Sequence, residues 1–168
     1  TYGDWSSDVC SSDLLGCYAD QGAWPWVSTP NIDRLAKDGV RFTSAYGAAW
    51  CSPSRACVLT GRLPHGVEGI KLEAVLTKKP AVDPKAEHFW PLALRNAGYR
   101  TAFVGKWHLG TNAQHGRLWD HSVVWDQNNP VGDWYNNQPL SIDGAAANVV
   151  PGYSTDLYTN YAADFIRK

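Results

Sequence analysis

Between Gly98 and Gly110 the chain reads G-Y-R-T-A-F-V-G-K-W-H-L-G, and no other stretch restricts its fold as tightly. Tyr99 to Val104 is an almost entirely apolar run rich in aromatic and β-branched residues. It is too short for a helix and lacks polar alternation, which predicts a buried parallel strand. Just before it, Phe89 to Ala97 has a helical pattern, with Pro91 tolerated in the first turn and Gly98 closing the end. A helix feeding a buried strand is the repeating step of an α/β fold.

Other segments agree. Thr29-Pro30, then Ile32, Leu35 and Ala36 at helical spacing, then Gly39, predict a short capped helix. Val40 to Tyr46 reads as a strand. Ser52-Pro53 opens a second helix through Ala56, Val58 and Leu59 to Gly61, placing Cys51 at a strand-to-helix junction. Lys71 to Ala86, lysine-rich with prolines nearby, reads as a surface excursion. Thr111 to Gly152 shows no sustained period and reads as ordered loop or short strands. Ser154 or Thr155 caps a last helix with Leu157, Tyr161, Ala162 and Phe165 on one face. The expectation is an α/β fold with a mainly parallel central sheet flanked by helices, with no internal repeat and no interdomain linker.

The 168 residues suit one domain of ordinary size. Hydrophobic residues make up 44% and charged residues 18%, with mean hydropathy -0.35, which excludes a disordered or coiled-coil chain. Fifteen basic and sixteen acidic residues, with no basic block, argue against a nucleic-acid surface. No apolar run reaches the roughly 20 residues of a membrane helix. The chain begins at Thr1 and has no methionine, so it is read as a piece of a longer protein. Asp4 to Leu14, D-W-S-S-D-V-C-S-S-D-L, resembles a translated sequencing adapter and is read as an artefactual insert. The cysteines Cys10, Cys17, Cys51 and Cys57 fit neither a dense disulfide framework nor a paired zinc spacing.

Ala49 to Gly61 reads A-W-C-S-P-S-R-A-C-V-L-T-G. Cys51 lies where helix N–H groups and the dipole favour an anion, and Arg55, one turn on, could return a bidentate fork to the same point. The residues alone leave open a blander reading: a small buried cysteine and an arginine in an ordinary surface ion pair. Lys106 and His108 alternate along an extended terminus, which predicts side chains on one face at the carboxyl end of a strand. Residues in such a place are also commonly solvated loop residues. His65, His88, His115 and His121 lack metal-like spacing and read as structural or rim residues. Trp119, Trp125, Trp134 and Tyr135 could form a stacking platform for a sugar, with packing in core or loop as the alternative.

The C-S-P-S-R run with its L-T-G tail resembles the first signature of the type I sulfatases, of the alkaline phosphatase superfamily. One position departs: Trp50 stands where a smaller aliphatic or hydroxyl residue is typical. Gly98 to Gly110 resembles the second signature without departure. T-P-N-I-D-R-L-A-K-D-G-V-R-F, T-G-R-L-P-H-G and the C-terminal G-Y-S-T-D-L-Y-T-N-Y-A-A-D-F-I-R-K are also similar to sulfatase sequence, so the resemblance covers nearly the whole chain outside residues 4 to 14. The whole is read as the N-terminal part of a single sulfatase catalytic domain.

The resemblance implies a sulfuric ester hydrolase whose Cys51 is oxidised to formylglycine by a formylglycine-generating enzyme. The hydrated aldehyde would attack sulfur with one hydroxyl while the alcohol leaves. Deprotonation of the second hydroxyl would then expel sulfate and restore the aldehyde. By the same likeness Arg55 would hold the formylglycine hydroxyl, Lys106 would bind a sulfate oxygen, and His108 would assist proton transfer at the formylglycine hydroxyl. One divalent cation, normally calcium, is implied, with Cys51 as its contact in this chain and paired aspartates and an Asp/Asn pair outside it. The 168 residues alone are therefore expected to be inactive. A sulfated small molecule or carbohydrate is the implied substrate, and a periplasmic or secreted setting the implied compartment. Two alternatives are a phosphodiesterase or phosphonate monoester hydrolase of the same superfamily and a non-catalytic sulfatase-like binding protein. The G-K-W-H-L-G context favours the sulfatase over the first, and the intact Cys51, Pro53, Arg55, Lys106 and His108 argue against the second.

Overall fold

The computed structural model of the chain describes residues 14–21, 24, 26–45, 47, 48, 50–67, 82, 88–110, 112–125 and 135–168. The run read as an insert lies outside these except for Leu14, and the excursion at Lys71 to Ala86 lies outside them except for Val82, which is buried. Two compact units divide the chain, residues 1–54 and 55–168.

The first unit contains a 3-10 turn, Gly16–Gln21, and helix α1, Pro30–Asp38. Pro30 presets the first helical φ, while Asp33 in the first turn and Lys37 in the last complement the helix dipole. Thr29 occupies the N-cap position, but its hydroxyl works elsewhere: it accepts the Gly16 N–H at 2.9 Å and donates to Asp33 Oδ1 at 2.8 Å. The turn and the helix are thereby tied. The strand expected at Val40 to Tyr46 is not formed over the described residues 40–45. Side chains hold this segment instead of a ladder. Arg41 pairs with Asp20 at 2.8 Å and lies 5.2 Å from the centre of the Tyr18 ring, whose hydroxyl donates to the Phe42 carbonyl at 2.8 Å. Val40 and Phe42 stay exposed, so the apolar pattern has no sheet face to bury.

The second unit is built on a four-stranded sheet in the order β1 (Ala102–Lys106), β2 (His121–Trp125), β3 (Pro139–Ile142), β4 (Asn148–Val149). The α/β expectation holds, but the sheet is mixed: β1 and β2 are parallel, β2 with β3 and β3 with β4 antiparallel. Connection length explains part of this. The intervening Trp107 to Asp120 is long enough for a parallel crossover, whereas the short link from Ile142 to Asn148 permits only an antiparallel return. β1 is half-buried rather than buried, since among the described residues it is an edge strand.

Helix α2, Cys51–Thr60, crosses the boundary between the units, and α3, Trp90–Asn96, precedes β1 with Pro91 in its first turn. Helix α4, Ser154–Arg167, packs on β1 and β2. Its expected face is the one used: Phe165 stacks on His121 at 6.1 Å with the rings 10° apart, and Tyr161 lies 6.4 Å from the same ring. The core gathers Ala56 and Leu59 of α2, Phe89, Trp107, Leu109, Leu118, Trp119 and Val124. Phe103, Trp107 and Trp119 form its aromatic centre, with Trp107 edge-on to Phe103 at 5.2 Å. Trp119 is therefore core rather than platform; Trp125 is half-buried, Tyr135 exposed, and Trp134 outside the described residues.

A polar clamp fixes the entry to β1. Arg95 Nε donates to Asp120 Oδ1 at 2.9 Å, Thr101 N–H donates to Asp120 Oδ2 at 2.9 Å, and the buried Thr101 hydroxyl donates to the Leu118 carbonyl at 2.7 Å. The Thr101 N–H, and after it the Arg95 guanidinium, hold the Asp120 carboxyl below its ordinary 3.8. A carboxyl depressed in the fold contributes stability above its unfolded value and loses it as pH falls through the folded one. Asp120→Asn is accordingly expected to be less stable than wild type at pH 7, with the gap closing below about pH 4. Denaturant melts across pH 2 to 7 check this; a gap independent of pH would contradict it.

Candidate active site

Cys51 is the first residue of α2 and is exposed; Ser52 and Pro53 behind it are buried. The helix therefore starts one residue earlier than Ser52-Pro53 suggests, at the cysteine itself. Its first turn is anchored backwards, Ser54 N–H donating to the Trp50 carbonyl at 3.0 Å and Ser54 Oγ to the Ala48 carbonyl at 2.6 Å. A side chain at this end meets the positive pole of the helix, which favours an anion.

Arg55 follows one turn on, half-buried, and its Nη1 donates to the backbone carbonyl of Lys106 at 2.5 Å. The bond couples α2 to the last residue of β1 within the second unit, so Arg55 and Lys106 are brought together. Lys106 is half-buried and pairs in register with Trp125. His108 is buried at 8% exposure. The expected extended terminus is not found: Gly105 has φ +122 and His108 φ +57, so the backbone turns left-handed at His108. The two-residue alternation that would set Lys106 and His108 on one face stops with the strand. What places His108 is this turn together with the buried Trp107 and Leu109 on either side of it.

Cys51 and Cys57 differ in environment on the same helix. None of Cys17, Cys51 and Cys57 is in a disulfide. Burial pushes the Cys57 thiol up, which suits a cysteine that packs as a small apolar residue. In protein made without the modifying enzyme, Cys51 is expected to react with iodoacetamide at least about tenfold faster than Cys57 at pH 8. Peptide mass spectrometry over a time course measures the ratio, and equal rates would refute it.

His115 and His121 are engaged with other partners. His121 Nδ1 lies 2.8 Å from Asp143 Oδ1, and His115 Nδ1 lies 3.2 Å from Ser122 Oγ. His65 and His88 are both exposed. Sequence spacing missed the Arg55 to Lys106 link, because its partner is a main-chain oxygen 51 residues away. Among the described residues no three His, Cys, Asp or Glu side chains gather as a metal site.

A family model described as Sulfatase matches residues 7–168. The chain belongs to the sulfatase family. It is 32% identical over 161 residues to an N-acetylglucosamine-6-O-sulfatase of Bacteroides thetaiotaomicron, covering 95% of this chain and 26% of that protein. It is 35% identical over 182 residues to the N-acetylgalactosamine-6-sulfatase of Rattus norvegicus, covering 91% of this chain and 33% of that one. Among solved structures it resembles a protein in complex with its substrate D-glucosamine-2-N,6-O-disulfate, with TM-score 0.71, 30% identity, and coverage of 94% of this chain and 29% of that one. A second, in complex with a neocarrahexaose, gives TM-score 0.63 at 27% identity over 83% of this chain and 36% of that one. This sulfatase chain thus spans 26% and 33% of the length of these two curated relatives. The mixed sheet flanked by helices is the architecture it shares with the solved sulfatases.

Proposed function

We propose that the chain is the nucleophile-bearing, N-terminal part of a sulfatase catalytic domain, in an enzyme that hydrolyses a sulfate monoester of a carbohydrate or other small molecule. The observation that carries this is Cys51 at the exposed first residue of α2, with Arg55 one turn on and bonded to the end of β1. Converted to formylglycine and hydrated, Cys51 would supply one hydroxyl to attack sulfur and a second whose deprotonation expels sulfate. Arg55 offsets the charge that develops there, Lys106 binds a sulfate oxygen, and His108 moves the proton of the formylglycine hydroxyl. Calcium takes six to eight oxygen ligands, and Cys51 is the one donor this reading assigns within the chain. The described residues do not compose that site by themselves, and no step here depends on it. By family habit the setting is periplasmic or secreted, and the partner that modifies Cys51 is a formylglycine-generating enzyme.

The test uses the full-length enzyme from a host that carries the modifying enzyme. Mass spectrometry of the Cys51 peptide should show formylglycine, and an aryl sulfate should be hydrolysed in preference to the matching phosphate and phosphonate esters. A thiol at Cys51 throughout, or preference for a phosphorus ester, would reject the reading.

A further inference from the structure

Trp50 has no role in the chemistry above, yet it precedes the nucleophile directly and is 62% exposed. We propose that Trp50 is a specificity-determining residue, whose indole is a stacking face for the pyranose ring that bears the scissile sulfate. The inference rests on the reading of Cys51 as nucleophile. Consecutive Cα atoms lie about 3.8 Å apart, so an indole on Trp50 is within reach of the part of a substrate that extends beyond the group reacting at Cys51. Its backbone is fixed, because the Trp50 carbonyl accepts the Ser54 N–H and Ser54 Oγ binds the Ala48 carbonyl. Where a smaller aliphatic or hydroxyl residue is typical, an indole adds a large, rigid, flat surface at small entropic cost. The C–H face of a saturated sugar ring matches that surface. A flexible alkyl chain does not.

The experiment uses the full-length enzyme with formylglycine occupancy measured in every variant, and two primary sulfate esters, D-glucosamine 6-sulfate and n-butyl sulfate. Trp50→Ala should lower kcat/KM for the sugar ester about tenfold, mainly through KM, and leave butyl sulfate within about twofold. Trp50→Phe, which keeps an aromatic face, should stay within about threefold of wild type. If butyl sulfate is not cleaved, its inhibition constant serves in place of kcat/KM. Equal losses on both esters at equal occupancy, or no loss on the sugar ester, would overturn the assignment of Trp50 alone. Wild-type enzyme that carries formylglycine and cleaves neither ester would overturn the reading of the site, and this inference with it.

Discussion

Cys51→Ala in the full-length enzyme is expected to lower kcat/KM for sulfate ester hydrolysis by roughly 10³-fold or more, since on the proposed reading it removes the thiol that is exchanged for the formylglycine oxygen. Sulfate release against enzyme concentration measures it. Cys51→Ser separates nucleophile from leaving chemistry. A single hydroxyl can take a sulfuryl group from the ester while the alcohol departs with a proton, but no second hydroxyl on that carbon can expel sulfate. The serine variant should therefore turn over once and stop, with a sulfated peptide in the mass spectrum. Continued turnover by either variant would assign the nucleophile elsewhere.

The largest stability effect is expected at Trp107, which is 2% exposed and edge-on to Phe103 at 5.2 Å. Trp107→Ala should cost about 3–5 kcal/mol, from lost burial and the cavity left behind. Trp107→Phe should cost much less, because it retains a ring and removes an indole N–H that is buried with no hydrogen-bond partner among the described residues. Denaturant unfolding gives both values. Similar losses for the two would mean the indole nitrogen matters, against this account. Because Trp107 lies between Lys106 and His108, the alanine variant should also lose activity before it unfolds globally.

These positions differ in how far sequence could locate them. Helix α3 was legible to within a residue or two, because Pro91 and Gly98 mark its ends by local backbone preference. The face of α4 was legible for the same kind of reason, a period of 3.6 over fourteen residues. β1 begins three residues later than its apolar run, since its limits are set by pairing with β2 from Ala102↔His121 onward. A local window does not contain that partner. The link from β3 to β4 carries a readable dipeptide: Asp143-Gly144, with φ +50 and +75 and the Ala145 N–H bonded to the Ile142 carbonyl at 3.0 Å, forms a β-turn. At the site, the helix start at Cys51 was readable to within one residue, from Ser-Pro, whereas the anchor of Arg55 was not. His108 shows the clearest limit, because its chemistry was visible in the motif and its backbone conformation was not.

That conformation narrows which residues evolution or an experimenter can place at position 108. A β-branched side chain is strongly disfavoured there by its own backbone, whatever its chemistry, and alanine would carry strain as well as lose the imidazole. Asparagine tolerates the left-handed region and cannot act as an acid or base. His108→Asn is thus the replacement that silences the ring while leaving the path of the chain intact, and a loss measured with it would support the proton transfer proposed for His108 rather than a change of fold.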